Sequence, residues 1–320
     1  MSSTREIRRR IRSVKNIAQV TRAMQMVAAS KMRRAQEQVL ATRPYAEKAW
    51  TLLTHLASQR GADETLHPLL TVHEEIRTVG MVLITSDRGL CGSYNHNMIH
   101  HAWRFISELP YPVHLITVGK RGREAMWRLR QTIVAEFSDL PPQPRLLDVT
   151  PIAQVVIEGF ITGQYDVVYL AHTDFINTLT QRPAIWQLLP IRPLFLGETP
   201  ISEHQRARPE MAVTEYLYEP DPRTILDTVL PRFTGLQVYQ AVLEALASEH
   251  SARMVAMRNA TENANELLAD LTLTYNRARQ EAITKEMLDI VGGSEALARL
   301  RGERSTHSSM LWEATRQKER

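Results

Sequence analysis

The sequence predicts an α/β protein: a long antiparallel coiled coil of the N- and C-terminal helices plus a central Rossmann-like α/β domain with a mostly parallel sheet. Three observations predict it. No Gly or Pro precedes Pro44, and none but Pro44 precedes Gly61, so the first sixty residues lack nearly all helix breakers. From Leu236 to Val291 neither residue occurs, over 56 positions rich in the strong helix formers Ala, Leu, Glu and Arg. Between these ends the texture changes to short β-branched and aliphatic runs separated by turn residues and helical patterns.

In the first helix Ile7, Ile11, Val14, Ala18, Thr21, Gln25, Ala28, Met32, Ala35 and Val39 follow steps of four and three, which hold one seam on one side. Pro44 would normally end or kink that helix, and continuation into Trp50, Leu53 and Leu56 is the expectation. At the other end Met254, Met257, Thr261, Ala264, Leu268, Leu271, Tyr275, Ala278 and Ala282 repeat the same pattern. At ~1.5 Å per residue each helix reaches ~80 Å. A single globular domain has no use for such lengths unless they protrude.

In the centre, strands are expected at Thr78 to Thr85, Val113 to Val118, Thr132 to Phe137 and Val167 to Ala171. Helices are expected at Asn95 to Glu108, Arg121 to Arg130 and Ile152 to Thr162. Alternation of the two implies helices on both faces of the sheet. Pro190 to Pro209 reads as irregular and Glu215 to Tyr218 as an edge strand. The resulting division is 1–60 for the first helix, 75–220 for the α/β domain, 221–297 for the second helix and 298–320 for a polar, loose tail.

Composition sets the class. With 320 residues, 43% hydrophobic and 23% charged, the chain can bury a real core. A lone cysteine, Cys91, makes no internal disulfide and offers no zinc-ligand spacing. No run approaches the ~18 apolar residues of a membrane span, and no signal-peptide h-region opens the chain, so a soluble protein that stays in its compartment of synthesis is expected. The net charge of +4 is unevenly spread. Residues 1–60 hold thirteen Lys and Arg against Glu6, Glu37 and Glu47, so the N-terminal segment is suited to something acidic: nucleic acid, anionic lipid or an acidic protein loop.

Catalytic chemistry is sparse. Ser86-Asp87-Arg88-Gly89-Leu90-Cys91-Gly92-Ser93-Tyr94-Asn95 follows an apolar strand and precedes a helix, where α/β enzymes place ligands, but Gly89 and Gly92 complete no dinucleotide fingerprint and the chain has no phosphate loop. A tight strand-to-helix turn is the plainer reading. Cys91 with His96, His100 or His101 would need hydrogen-bond geometry that sequence proximity does not supply. His96 and His100 share a helix face without the Glu of H-E-x-x-H, so solvent-facing histidines are the simpler expectation. The basic run Arg5, Arg8, Arg9, Arg10, Arg12 and Lys15 would suit phosphates, yet the seam of Ile7, Ile11 and Val14 threads through it and no aromatics interleave, which argues for a protein partner over nucleic acid. Met24, Met26 and Met32 suit coiled-coil filling, although Met24 and Met26 cannot both face one seam, which leaves at least one for an outside partner.

Five blocks carry a family resemblance. Glu6-Ile7-Arg8, Ser13-Val14 and Thr21 through Met32 (TRAMQMVAASKM) closely resemble the opening helix of ATP synthase gamma subunits. The blocks ITSDRGLCG (Ile84 to Gly92), YEPDP (Tyr218 to Pro222), LASEHSARMVAM (Leu246 to Met257) and YNRARQEAITKEMLDIV (Tyr275 to Val291) agree in the same order. Together they span about residue 4 to residue 297.

The resemblance implies a rotor shaft, one copy per complex, whose paired helices stand inside a ring of alternating alpha and beta subunits. The α/β domain would lie against the membrane rotor ring of c subunits and the epsilon subunit, at the cytoplasmic face of a bacterial membrane. Such a subunit hydrolyses nothing and holds no cofactor or metal. The ring would be turned through states of different nucleotide affinity by differential contact. Carried over by position, Met24 and Lys31 would face the alpha-beta ring, with Met24 near an acidic loop of beta that the basic face of Arg8, Arg9 and Arg10 also suits. Arg279, Gln280 and Thr284 would make catch contacts with beta. This sequence departs from the family in having Gly293-Ser294 in place of Gly-Ala, a longer tail from Ala298 and no regulatory cysteine pair, which excludes a two-thiol switch. An α/β enzyme using the Asp87 to Gly92 turn, or a coiled-coil nucleic-acid binder, would each leave one of the long ends unexplained.

Overall fold

A computed structural model describes residues 4–58, 67–73, 75–191 and 222–316. They fall into two compact units, residues 1–20 with 260–320 and residues 21–259. Helices α1 (Thr4–Ser58) and α5 (Pro222–Arg316) contribute to both.

The larger unit holds a five-stranded sheet. Its strands are β1 (Val79–Ile84), β2 (Val113–Val118), β3 (Thr132–Phe137), β4 (Val167–Phe175) and β5 (Gln181–Leu189), in the order β3-β2-β1-β4-β5. The first four are parallel, with Val79 opposite both Val113 and Val167, and β5 runs antiparallel to β4. Helices α2 (Tyr94–Glu108), α3 (Lys120–Arg128) and α4 (Leu146–Ile161) make the crossovers. Strand β1 is buried at all six residues, as a central parallel strand covered on both faces must be. Edge strand β3 instead alternates between exposed and half-buried.

The strand period of two sorts the core. Met81, Leu83, Leu115 and Ala171 pack with Met98 and Ala102 of α2 and Met126 of α3. Val82, Ile84, Ile116, Val118, Val168 and Leu170 face the other way, onto Val149, Ile152 and Val156 of α4 and onto Leu230, Phe233, Val238 and Val242 of α5. Burying side chains of that size stabilises by about 1.5–3 kcal/mol each. Gly119, between β2 and α3, has φ 97°, and a Cβ there would sit 2.2 Å from the Thr85 carbonyl oxygen, so only glycine lets the two backbones approach.

The α1 seam is realised throughout, and the α5 seam as far as Ala278. In the smaller unit Ile7 and Ala18 are buried and Ile11 and Val14 half-buried. From α5, Ala264 is buried and Thr261, Leu268, Leu271, Tyr275 and Ala278 half-buried. A lone helix cannot hide Ile7 to 4% exposure, so the two segments cover one another as the expected antiparallel coiled coil. In the larger unit Ala28, Ala35, Val39 and Met257 are buried and Thr21, Gln25, Met32 and Met254 half-buried.

Several expectations change. Ala282 is exposed, so among the described residues the α5 seam is covered only as far as Ala278. Helix α1 passes Pro44 unbroken, at an exposed position where water can satisfy the acceptor that proline leaves without a donor. Helix α5 passes Gly292 and Gly293 and continues to Arg316, where a loose tail from 298 was expected. Each glycine costs a helix about 1 kcal/mol relative to Ala, too little to stop one flanked by strong formers. The start of α5 at Pro222 lies one residue from the expected 221, with Pro231 inside the helix.

Helix α4 starts at Leu146, six residues early, because the Asp148 carboxylate accepts from the Arg145 backbone N–H at 2.7 Å and starts a turn ahead of Pro151. Strand β5 is additional, since Pro183 breaks its sequence signature yet is tolerated at a sheet edge. Residues 192–221, with the strand expected at Glu215 to Tyr218, lie outside the described residues.

Candidate functional site

Strand order reverses about β1, so the turn after it occupies the place where open α/β sheets bind ligands. Here α5 fills that place. The Tyr94 hydroxyl donates to the Ala245 carbonyl oxygen at 3.1 Å. Arg253 donates from Nη2 to the Gly89 carbonyl oxygen at 3.2 Å and to that of Arg88 at 3.4 Å, and its Nη1 meets Glu249 at 2.6 Å. Asp87 accepts from the backbone N–H groups of Lys120 and Asp139, both at 3.1 Å. A cavity of about 50 Å³ remains between Thr85, Asp87, Gly119 and Glu249, far below the ~300 Å³ of a small-molecule pocket. The turn is therefore a docking surface for α5.

Cys91 is buried among Ser86, Arg88 and Asn95, with the Asn95 amide 3.2 Å from its sulfur. Burial pushes its thiol up, against the pull of Arg253. His96, His100 and His101 lie exposed on α2, and no described hydrogen bond joins them to Cys91. A raised thiol without a base beside it is a poor nucleophile.

The residues expected to meet partners separate by unit. In the larger, Met24 is half-buried and Met26 62% exposed, so Met26 is the more outward of the two. Lys31 is half-buried, and its charge acts on α5, where it opposes the rise that burial imposes on Glu249 and adds to the fall of His250. Burial, Arg253 and then Lys31 bring His250 down to about 4, so it is a neutral ring among cations.

In the smaller unit Arg8, Arg9 and Arg10 are exposed, with Arg10 paired to Glu6 at 2.8 Å. Arg279, Gln280 and Thr284 are exposed on one stretch of α5, and the Thr284 hydroxyl donates to the Gln280 carbonyl oxygen at 3.0 Å. That bond is local and leaves the Arg279 and Gln280 side chains facing solvent.

Sequence reasoning missed a buried cluster. His172 and Asp174, two apart on β4, share the face that α5 covers with Glu244. His172 Nε2 is 2.9 Å from Asp174 Oδ1 and 3.4 Å from Glu244 Oε2. Burial, which disfavours the imidazolium, is outweighed by the two carboxylates, which push His172 up to about 9. Polar residues interrupting the apolar run of β4 were the available signal. Their partner lies seventy residues away on a helix, which no local pattern reveals.

The match to known proteins covers nearly the whole chain. The family model described as ATP synthase matches residues 3–297. The ATP synthase gamma chain of Roseiflexus castenholzii is 51% identical, over 94% of this chain and 100% of its own length. This chain belongs to the ATP synthase gamma chain family. The gamma chain of Dehalococcoides mccartyi strain CBDB1 is 47% identical over 93% of this chain and 100% of its own. The fold is shared with a chain of the Euglena gracilis mitochondrial ATP synthase, at 24% identity and TM-score 0.62 over 92% of this chain and 94% of that one. A chain of the rotor of the same enzyme gives TM-score 0.59 over 88% and 98%. The family match ends at 297, within α5, which is described as far as Arg316. Among the described residues no helix is long and apolar enough to cross a membrane.

Proposed function

We propose that this chain is the central-stalk rotor of an F-type ATP synthase, coupling ion flow through a membrane sector to ATP synthesis or hydrolysis in an alpha-beta ring. It performs no catalysis itself and serves as one copy per complex, peripheral to the cytoplasmic face of a bacterial membrane. Its ring contacts are Met24, Lys31, Arg279, Gln280 and Thr284, with the basic face of Arg8, Arg9 and Arg10 toward acidic loops. The α/β domain contacts an epsilon subunit and the ring of c subunits.

The observation that carries the reading is α5 from Glu281 to Glu295, exposed at every position. Ile283, Met287, Leu288, Ile290 and Val291 are among these residues. Uncovered apolar side chains in such number mark a surface with a partner outside the chain. A ring that encloses the helix would contact it differently at each rotational position, and that difference is the source of coupling.

The experiment is co-purification. An affinity-tagged full chain expressed in its own cells should bring down alpha and beta subunits in threefold excess over itself. Recovery of the tagged chain alone, under conditions that keep the complex intact, would sink the proposal.

A further inference from the structure

The cluster on β4 has a composition the coupling role does not require. His172, Asp174 and Glu244 are 3%, 1% and 8% exposed, and their nearest N and O atoms lie within 4.8 Å of one another. His172 Nε2 faces both carboxylates, yet both Asp174 carboxylate oxygens are left without a well-directed hydrogen bond. A buried carboxylate in that condition is costly unless a cation lies against it, and in the metal-free chain that cation is the His172 imidazolium. Arg182 approaches Asp174 Oδ2 only to 3.6 Å, from a side chain 44% exposed.

We propose that His172, Asp174 and Glu244 form a buried site for one divalent transition-metal ion of the zinc class, pinning strand β4 to helix α5. A tetrahedral ion with bonds of about 2.0–2.1 Å spaces its ligands by roughly 3.3 Å; the two His172 separations, 2.9 and 3.4 Å, lie on either side of that value and the third lies within 4.8 Å. One imidazole nitrogen with two carboxylates suits zinc or manganese better than calcium or magnesium, which take oxygen ligands throughout. Two negative carboxylates and a neutral imidazole balance a 2+ ion, and the proton held by the ring leaves to solvent as the ion enters. Binding through Nε2 leaves the remaining ring proton on Nδ1, which has no hydrogen-bond partner. Ser248 Oγ, donating to the Thr173 carbonyl oxygen at 3.0 Å, already holds helix and strand in register beside the site.

The test uses the full chain, stripped with a chelator and then dialysed against Zn²⁺ or Co²⁺. The expected result is about one metal per chain, a tetrahedral Co²⁺ absorption band and quenching of part of the tryptophan emission, because the Trp186 ring stands 6.3 Å from that of His172. Glu244→Gln and Asp174→Asn, each close in shape to the native residue, should weaken binding at least about tenfold, as loss of a supporting group alone does. His100→Ala, which removes the exposed alternative beside His96, should leave it unchanged. Absence of stoichiometric metal, or binding lost with His100 and kept without Glu244, overturns the proposal and leaves the cluster a buried ion pair with a proton only. Circular dichroism decides whether each variant is folded, and either of the two substitutions suffices for the comparison.

Discussion

The guanidinium of Arg253 holds the Gly89 carbonyl oxygen at 3.2 Å while gripping Glu249 at 2.6 Å, one turn back on its own helix. Through this one side chain α5 is fastened to the turn after β1. Both members of the ion pair are nearly buried, at 13% and 12% side-chain exposure. Removing one partner strands the other charge, so Arg253→Ala should cost about 3–5 kcal/mol. Urea unfolding of the full chain measures it. The double variant with Glu249→Ala should lose less than the sum of the single losses, and strict additivity would refute the coupling.

His250 gives a pH dependence of known sign. Its folded value, about 4, lies below the ordinary 6.5, so between these values the unfolded chain binds the extra proton. Stability therefore falls as pH drops from about 6.5 toward 4, and that loss is absent above this window. His250→Asn should flatten the wild-type decline across the window by roughly 1–3 kcal/mol at its acid end. Parallel curves for the two proteins, from chemical unfolding at several pH values, would refute the assignment.

Two glycines separate conformational need from mere presence. Gly119→Ala must drive a methyl group into the Thr85 carbonyl at a φ of 97°, and should cost at least about 3 kcal/mol. Gly89→Ala meets nothing closer than the flexible end of Arg121 at 3.6 Å and should change stability by less than about 1 kcal/mol. Thermal melting of both variants ranks them.

Met24→Lys tests coupling rather than stability. Half-buried on α1, Met24 has room to turn a longer side chain outward, so the complex should assemble. On the proposed placement of Met24 beside acidic groups of a beta subunit, an added cation would create an attraction that differs between rotational states. ATP hydrolysis should then persist while ion pumping in membrane vesicles drops several-fold. Equal loss of both activities argues against a coupling role.

Much of the fold was legible because it rests on local periodicity. The three-four steps of Ile7 to Val39 gave the seam, and every one of those residues is buried or half-buried. The strands Val113–Val118 and Thr132–Phe137 matched their expected bounds, as continuous or alternating runs between turn residues should. Strand β5 was hidden by Pro183, and the continuation of α5 past Gly292 by an overestimate of what two glycines cost.

The paired long helices, the parallel α/β centre and the family followed from the order of residues alone, because helix periodicity and motif blocks are written in consecutive positions. The meaning of the Asp87 to Gly92 turn did not. Whether that turn cradles a ligand or receives a helix depends on Arg253, more than 160 residues away, and on Ala245 facing Tyr94. The same holds for His172 and Asp174, whose chemistry is complete only when Glu244 is laid across them. Contacts between distant segments are fixed by packing of the α5 face onto the sheet, and only the tertiary structure decides them.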